Sequence, residues 1–143
     1  GRGLQFGLPV DHVVTGRLEA GAASEVLDVG DSTIGDRMGV DIGPKTIQLY
    51  AGLIDDARTV VWNGPMGVFE IPAFAAGTTA IARAVAGVNG TTIAGGGDSI
   101  AAVNQAGVAD RITHISTGGG ASLEFLGGRT LPGVEALTEG SRL

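Results

Sequence analysis

Apolar positions in this chain gather in short runs of strand length that end in glycine, separated by segments where the apolar spacing widens to three and four. Leu8-Pro9-Val10-Asp11-His12-Val13-Val14-Thr15 is the first such run, with Pro9 suited to the beginning of a strand. Residues 16 to 37 carry little period beyond Glu25-Val26-Leu27-Asp28-Val29, which stops at Gly30. Met38-Gly39-Val40-Asp41-Ile42-Gly43-Pro44 then leads into Ile47, Tyr50, Ala51 and Ile54 at helical spacing, and Pro44 fits a first helical turn, which predicts a helix over 44–57. Thr59-Val60-Val61-Trp62-Asn63-Gly64 reads as a buried strand ending in a glycine turn. Pro72 opens the next helix, with Phe74, Thr78, Ile81 and Val85 along one face and Gly87 beyond its end. Thr91-Thr92-Ile93-Ala94 is a strand that runs through Gly95-Gly96-Gly97 into a helix marked by Ile100 and Val103, with Gly107 beyond it. Arg111 to Thr117 forms a last strand, followed by Gly118-Gly119-Gly120, a short helical stretch around Leu123, and a tail from Arg129 with no period.

Strand and helix in alternation imply an α/β fold whose strands are parallel and joined by crossovers, with all strand C-termini on one edge. Four parallel strands are expected, the 8–15 run among them. Three of them end in glycine-rich turns, 63–67, 95–97 and 118–120, on the edge where such sheets bind ligands. The 95–97 turn stands out. A strand feeding through glycines into a helix leaves several N–H groups unpaired around one small volume that suits a phosphate, and a Cβ would hold that ligand away. The competing view makes it a tight turn with Asp98 as an ordinary N-cap.

Composition narrows the choice. A chain of 143 residues, 43% hydrophobic with positive mean hydropathy, can bury a core. Its 26 glycines show no three-residue period, which excludes collagen. There is no cysteine, hence no disulfide or thiolate metal site, as fits a reducing cytoplasm. No run of 18 apolar residues and no leader occurs, so neither membrane nor export is expected. A net charge of −6 with Lys45 as the single lysine argues against nucleic acid. A polyanion site on such a chain relies on backbone amides, helix starts and a divalent cation, or on basic residues from elsewhere. The start at Gly1, without an initiator Met, reads as cut from something longer.

The standard phosphate motifs do not match. Neither glycine cluster continues as G-x-G-x-x-G, and Lys45 is not part of a P-loop. Asp98 and Ser99 at a helix start can instead hold Mg²⁺ through the carboxylate and phosphate oxygens through hydroxyl and N–H.

Four blocks carry a family resemblance: Val61-Trp62-Asn63-Gly64-Pro65-Met66-Gly67-Val68-Phe69-Glu70, Gly95-Gly96-Gly97-Asp98-Ser99, Ser116 to Glu124, and Leu131-Pro132-Gly133-Val134. In order and spacing the chain resembles phosphoglycerate kinase, from Leu8 to Leu137. The resemblance implies a three-layer parallel sheet with helices on both faces, an incomplete Rossmann-like nucleotide-binding domain filling residues 1–143, with 129–143 as C-terminal tail. It implies transfer of a phosphoryl group between 1,3-bisphosphoglycerate and MgADP, giving 3-phosphoglycerate and MgATP, in a cytoplasmic, monomeric glycolytic enzyme.

By the same resemblance Gly39 and Val40 lie beside the adenine and Glu70 on the ribose, while Asn63, Pro65, Gly67 and Val68 line the groove. Gly95, Gly96, Gly97 and Ser99 meet the phosphates, Asp98 holds the magnesium, and Gly97 with Gly118, Gly119 and Gly120 faces the transferring group. Leu18 stands where the family often has an aromatic side chain near the adenine. The phosphoglycerate-binding half and the first strands of this domain, with their cations, would precede Gly1, so the chain alone is expected to be inactive and marginal or self-associating. A bare nucleotide-binding module and a non-catalytic α/β interaction module are the alternatives. Trp62 and Phe69 read as core, His12 and His114 as structural, and Asp41 as the cap of the helix at Pro44.

Overall fold

The structure, a computed structural model, describes residues 7–116. The Gly118-Gly119-Gly120 turn, the short helix after it and the tail from Arg129 lie outside the described residues.

Two three-stranded sheets are present. The first holds β1 (Asp11–Thr15), β2 (Ser24–Asp28) and β3 (Met38–Ile42) in the order β2-β1-β3, both pairs antiparallel. The second holds β4 (Thr59–Trp62), β5 (Thr91–Gly95) and β6 (His114–Ser116), both pairs parallel. The mixed α/β class and the parallel sheet are as the sequence predicts. The expectation that β1 joins the parallel set is corrected. Its link to β2 spans only residues 16–23, and parallel neighbours need a crossover of a dozen residues or more, so a hairpin is the geometry open to it. Strand β3 was not foreseen, because Gly39 and the buried Asp41 interrupt its apolar pattern.

The helix expected to open at Pro72 starts only at Ala76, after a separate 3₁₀ turn that holds Phe74, and the others fall where their spacing puts them. Helix α1 spans Pro44–Asp55 with proline in its first turn and buries Thr46, Tyr50 and Ile54. A 3₁₀ turn at Pro72–Phe74 precedes α2 (Ala76–Ala86), which buries Thr78, Ile81 and Val85 and stops at Gly87. Helix α3 spans Gly97–Gln105 and buries Ser99, Ala102 and Val103.

One core joins these helices to the parallel sheet: Tyr50 and Ile54 from α1, Val60 and Trp62 from β4, Ile81 and Val85 from α2, Ala94 from β5, Val103 from α3, with Phe69 from the loop between. Trp62 and Phe69 are core residues, as expected. In register Trp62 lies opposite Ala94, and Ala94 opposite Ile115, so the loops leaving β4 and β5 start side by side on one sheet edge.

Candidate functional site

Two of the three helices have their first amides satisfied from a distant strand. The carboxylate of Asp11 in β1, buried, accepts the N–H groups of Lys45 (3.0 Å) and Thr46 (2.8 Å) at the start of α1. Asp41 in β3, also buried, accepts the Gly77 N–H (2.8 Å) at the start of α2 and the N–H of Ile42 (2.9 Å). Asp41 therefore caps α2, which corrects its expected place at Pro44. The sequence distances are 34 to 36 residues, so no local capping pattern could show either contact. Burial pushes the Asp41 carboxyl above its ordinary range, the two amides only partly opposing it.

Helix α3 is different. Its N-cap is Gly96 (φ 93°), no side chain caps it, and Asp98 is its second residue, so the ordinary N-cap role for Asp98 is excluded. The Asp98 carboxylate is exposed and has no partner among the described residues. Beside Gly97 the space is open: a Cβ there would meet nothing within 4 Å. A strand end, bare amides and a free carboxylate thus face open space, where the dipole favours an anion. For Mg²⁺ the donor set fits as one hard oxygen ligand completed by phosphate oxygens and water. Among the described residues no cluster of three acidic or histidine side chains could hold a metal by itself.

Around this helix start the structure gathers the residues singled out in sequence. The Gly64 N–H donates to Ser99 Oγ at 2.7 Å, binding the β4 turn to α3; Ser99 is itself buried. A Cβ on Gly96 would sit 3.4 Å from Asn63 Oδ1, which puts the Asn63 side chain against the glycine turn. Pro65, Gly67 and Val68 continue this rim, half-buried. Thr78 Oγ1 accepts the N–H groups of Met66 (3.0 Å) and Gly67 (3.3 Å), and the Val68 N–H donates to the Val40 carbonyl at 2.8 Å. Gly39 and Val40 of β3 are thereby joined to the 63–70 loop, with Gly39 packed on the His12 ring. Glu70 is exposed in the turn before Pro72, outside any helical first turn, without a partner among the described residues. Leu18 is 51% exposed in the hairpin connection. Gly118, Gly119 and Gly120 lie outside the described residues.

Sequence reasoning did not single out Thr78 or the use of Ser99 as a tie to Gly64, and it placed Asp41 on the wrong helix. The available signal was Asp41 itself, a carboxylate between Val40 and Ile42 in an apolar run. An open cavity of about 530 Å³ lies elsewhere, at the hairpin, lined by Thr15, Arg17, Glu25 and Arg37 among others, and it contains none of these residues. Its Arg37 guanidinium is already bound to Glu25 (2.6 Å) and to the carbonyls of Thr33 and Ile34.

The family model for phosphoglycerate kinase matches residues 1–129. The phosphoglycerate kinase of Koribacter versatilis (strain Ellin345) is 62% identical over 138 residues, covering 96% of this chain and 34% of the relative, and that of Moorella thermoacetica is 60% identical over 138 residues, covering 96% and 35%. Among solved structures, the phosphoglycerate kinase of Coxiella burnetii superposes with a TM-score of 0.79 at 44% identity, over 94% of this chain and 34% of that one. The enzyme of Pyrococcus horikoshii OT3 gives 0.71 at 39% identity, over 90% and 31%. The chain thus spans about a third of the length of the relatives it matches. With its parallel sheet, its glycine turns and this match over most of its length, the chain belongs to the phosphoglycerate kinase family.

Proposed function

We propose that this chain supplies the nucleotide side of a phosphoglycerate kinase, binding MgADP and MgATP at the start of α3 and along the rim formed by the 63–70 loop. The observation that carries the proposal is the bare α3 helix start with Asp98 free beside it, in a fold whose other two helix starts are capped.

In this assignment the amides of Gly97, Asp98 and Ser99 receive the phosphate oxygens. Ser99 contributes its N–H, while its buried hydroxyl accepts from Gly64 and ties the β4 turn to α3. Asp98 supplies the carboxylate oxygen to Mg²⁺, which when bound neutralises phosphate charge. Val68 offers apolar surface to the adenine, with the buried Val40 side chain behind it, Asn63, Pro65 and Gly67 shape the rim, and Glu70 accepts from the ribose hydroxyls. The family resemblance assigns Gly118, Gly119 and Gly120, outside the described residues, to the transferring group. In the complete reaction a terminal oxygen of ADP displaces the carboxylate of 3-phosphoglycerate from the acyl phosphate, so one P–O bond forms as another breaks. Such transfers depend on positioning and charge neutralisation rather than on a protein nucleophile, which suits a site made of amides and one carboxylate. The phosphoglycerate site and its cations belong to the remaining two thirds of the relatives' length, so phosphoryl transfer by these 143 residues alone is not expected. A cytoplasmic, monomeric glycolytic enzyme is the corresponding whole.

Titration with ADP, with and without Mg²⁺, followed by amide NMR, tests this. Expected are shifts at Gly95 to Ser99 and near Glu70, with the magnesium-dependent part lost in Asp98→Ala. A folded chain with no shifts at those amides would count against a nucleotide site here.

A further inference from the structure

Asp41 does more than cap a helix. It is 5% exposed, and three segments meet on it. Its own strand β3 carries Gly39 and Val40. Its carboxylate holds the first turn of α2 through Gly77 at 2.8 Å. The 63–70 loop presses on it at Gly67, where a Cβ would meet the Val40 carbonyl oxygen, lie 2.7 Å from Asp41 Cα and 2.8 Å from Asp41 Oδ1. A Cβ on Gly77 would likewise collide with Asp41 Oδ1. The loop is fastened on both sides of that contact, by Val68 N–H on the Val40 carbonyl and by Met66 and Gly67 N–H on Thr78 of α2. Val40 is itself buried and bonded directly to Val68, so the place of the 63–70 loop against β3 is set where Asp41 binds.

We propose that Asp41 is a positioning residue that fixes the nucleotide-facing 63–70 loop by locking β3, the Gly67 loop and the start of α2 together. This rests on the nucleotide reading above. Its carboxylate touches no nucleotide, and it acts through Val40 and Gly67.

Asp11 is the internal control. It is also buried and caps α1, accepting the Lys45 and Thr46 amides and the Thr46 hydroxyl, and it is pressed by Gly43 as Asp41 is by Gly77, but none of its partners belongs to the 63–70 loop. Asp41→Ala, Asp41→Asn and Asp11→Ala are compared in the full chain by thermal melt, by hydrogen exchange of the Val68 amide, and by MgADP titration. All three variants should melt lower. Asp41→Ala should weaken MgADP about tenfold or more, because two buried amides lose their acceptor and the loop shifts, with Asp41→Asn in between. Asp11→Ala, once folded, should bind as wild type does. Val68 should exchange faster in the Asp41 variants than in Asp11→Ala at matched global stability. Unchanged affinity in a folded Asp41→Ala, equal weakening in Asp11→Ala, or loss of fold in both Asp41 variants while Asp11→Ala folds would overturn the proposal. If wild type itself does not bind ADP, the nucleotide reading fails, and Val68 exchange alone decides whether the lock exists.

Discussion

At the scale of single residues, the two buried aspartates have opposite titration behaviour for reasons visible in their contacts. Burial raises the Asp11 carboxyl, but the Thr46 hydroxyl, the Lys45 and Thr46 amides and the Lys45 charge together pull it below its ordinary value. A carboxyl depressed in the fold stabilises above its unfolded pKa of about 3.9, and that contribution disappears as pH falls through the lower folded value. Stability should therefore decline on acidification below about pH 4, and Asp11→Asn should flatten that limb, as urea midpoints across pH would register. Asp98 belongs to the same scale. It is exposed and has no hydrogen-bond or ion-pair partner among the described residues, so Asp98→Ala should leave the melting temperature within a degree or so while removing the magnesium dependence of ADP binding. A large drop in melting temperature would mean that the carboxylate supports α3 instead.

Elements fix where these residues meet. Helices α1 and α2 were legible because Tyr50 and Ile54, and Ile81 and Val85, recur at helical spacing and are the residues buried. Strands β4 and β5 were legible as apolar runs that stop at glycine. Strand β3 was not, since its identity comes from antiparallel pairing with β1 and its Asp41 is tolerated because the carboxylate accepts the N–H of Gly77, 36 residues away, together with that of Ile42. Packing between elements leaves little slack. Gly67→Ala would drive a Cβ against β3 backbone that cannot rotate away, at a cost of about 1–3 kcal/mol, and should slacken the 63–70 loop as well. Trp62, 1% exposed and at the centre of the core, should cost about 3–5 kcal/mol as Trp62→Ala. Its indole N–H has no acceptor among the described residues, so Trp62→Phe should cost much less than alanine. Chemical denaturation of the three variants would rank them.

For the whole molecule, the parallel sheet has three strands among the described residues, and β4 and β6 each pair on one side only. Ile115 on β6 is 41% exposed, and Leu8 and Val10 just before β1 are 66% and 44% exposed. Unpaired strand edges flanked by exposed apolar side chains favour association, and a small core leaves few kcal/mol in reserve. The 143 residues should melt at a temperature that rises with protein concentration and sediment partly as associated species. A cooperative, concentration-independent melt of a monomer would refute this. No helix among the described residues is long and apolar enough to cross a membrane.

The sequence by itself determined what is local or periodic: the helical faces of α1 and α2, the runs that became β4 and β5, the glycine turns that leave them, and the ordered blocks that mark the family. Apolar spacing and glycine placement act over a few residues, so a linear reading can follow them. Tertiary structure alone decided what depends on partners far apart in the chain: the antiparallel sheet of β1, β2 and β3, the caps that Asp11 and Asp41 provide to helices about 35 residues away, and the tie from Ser99 to Gly64. A carboxylate reads the same in sequence whether it caps its own helix, caps a distant one or waits for a metal. For Asp41 the role is decided by the donors that folding brings within 3 Å of it, while Asp98 has no such donor among the described residues.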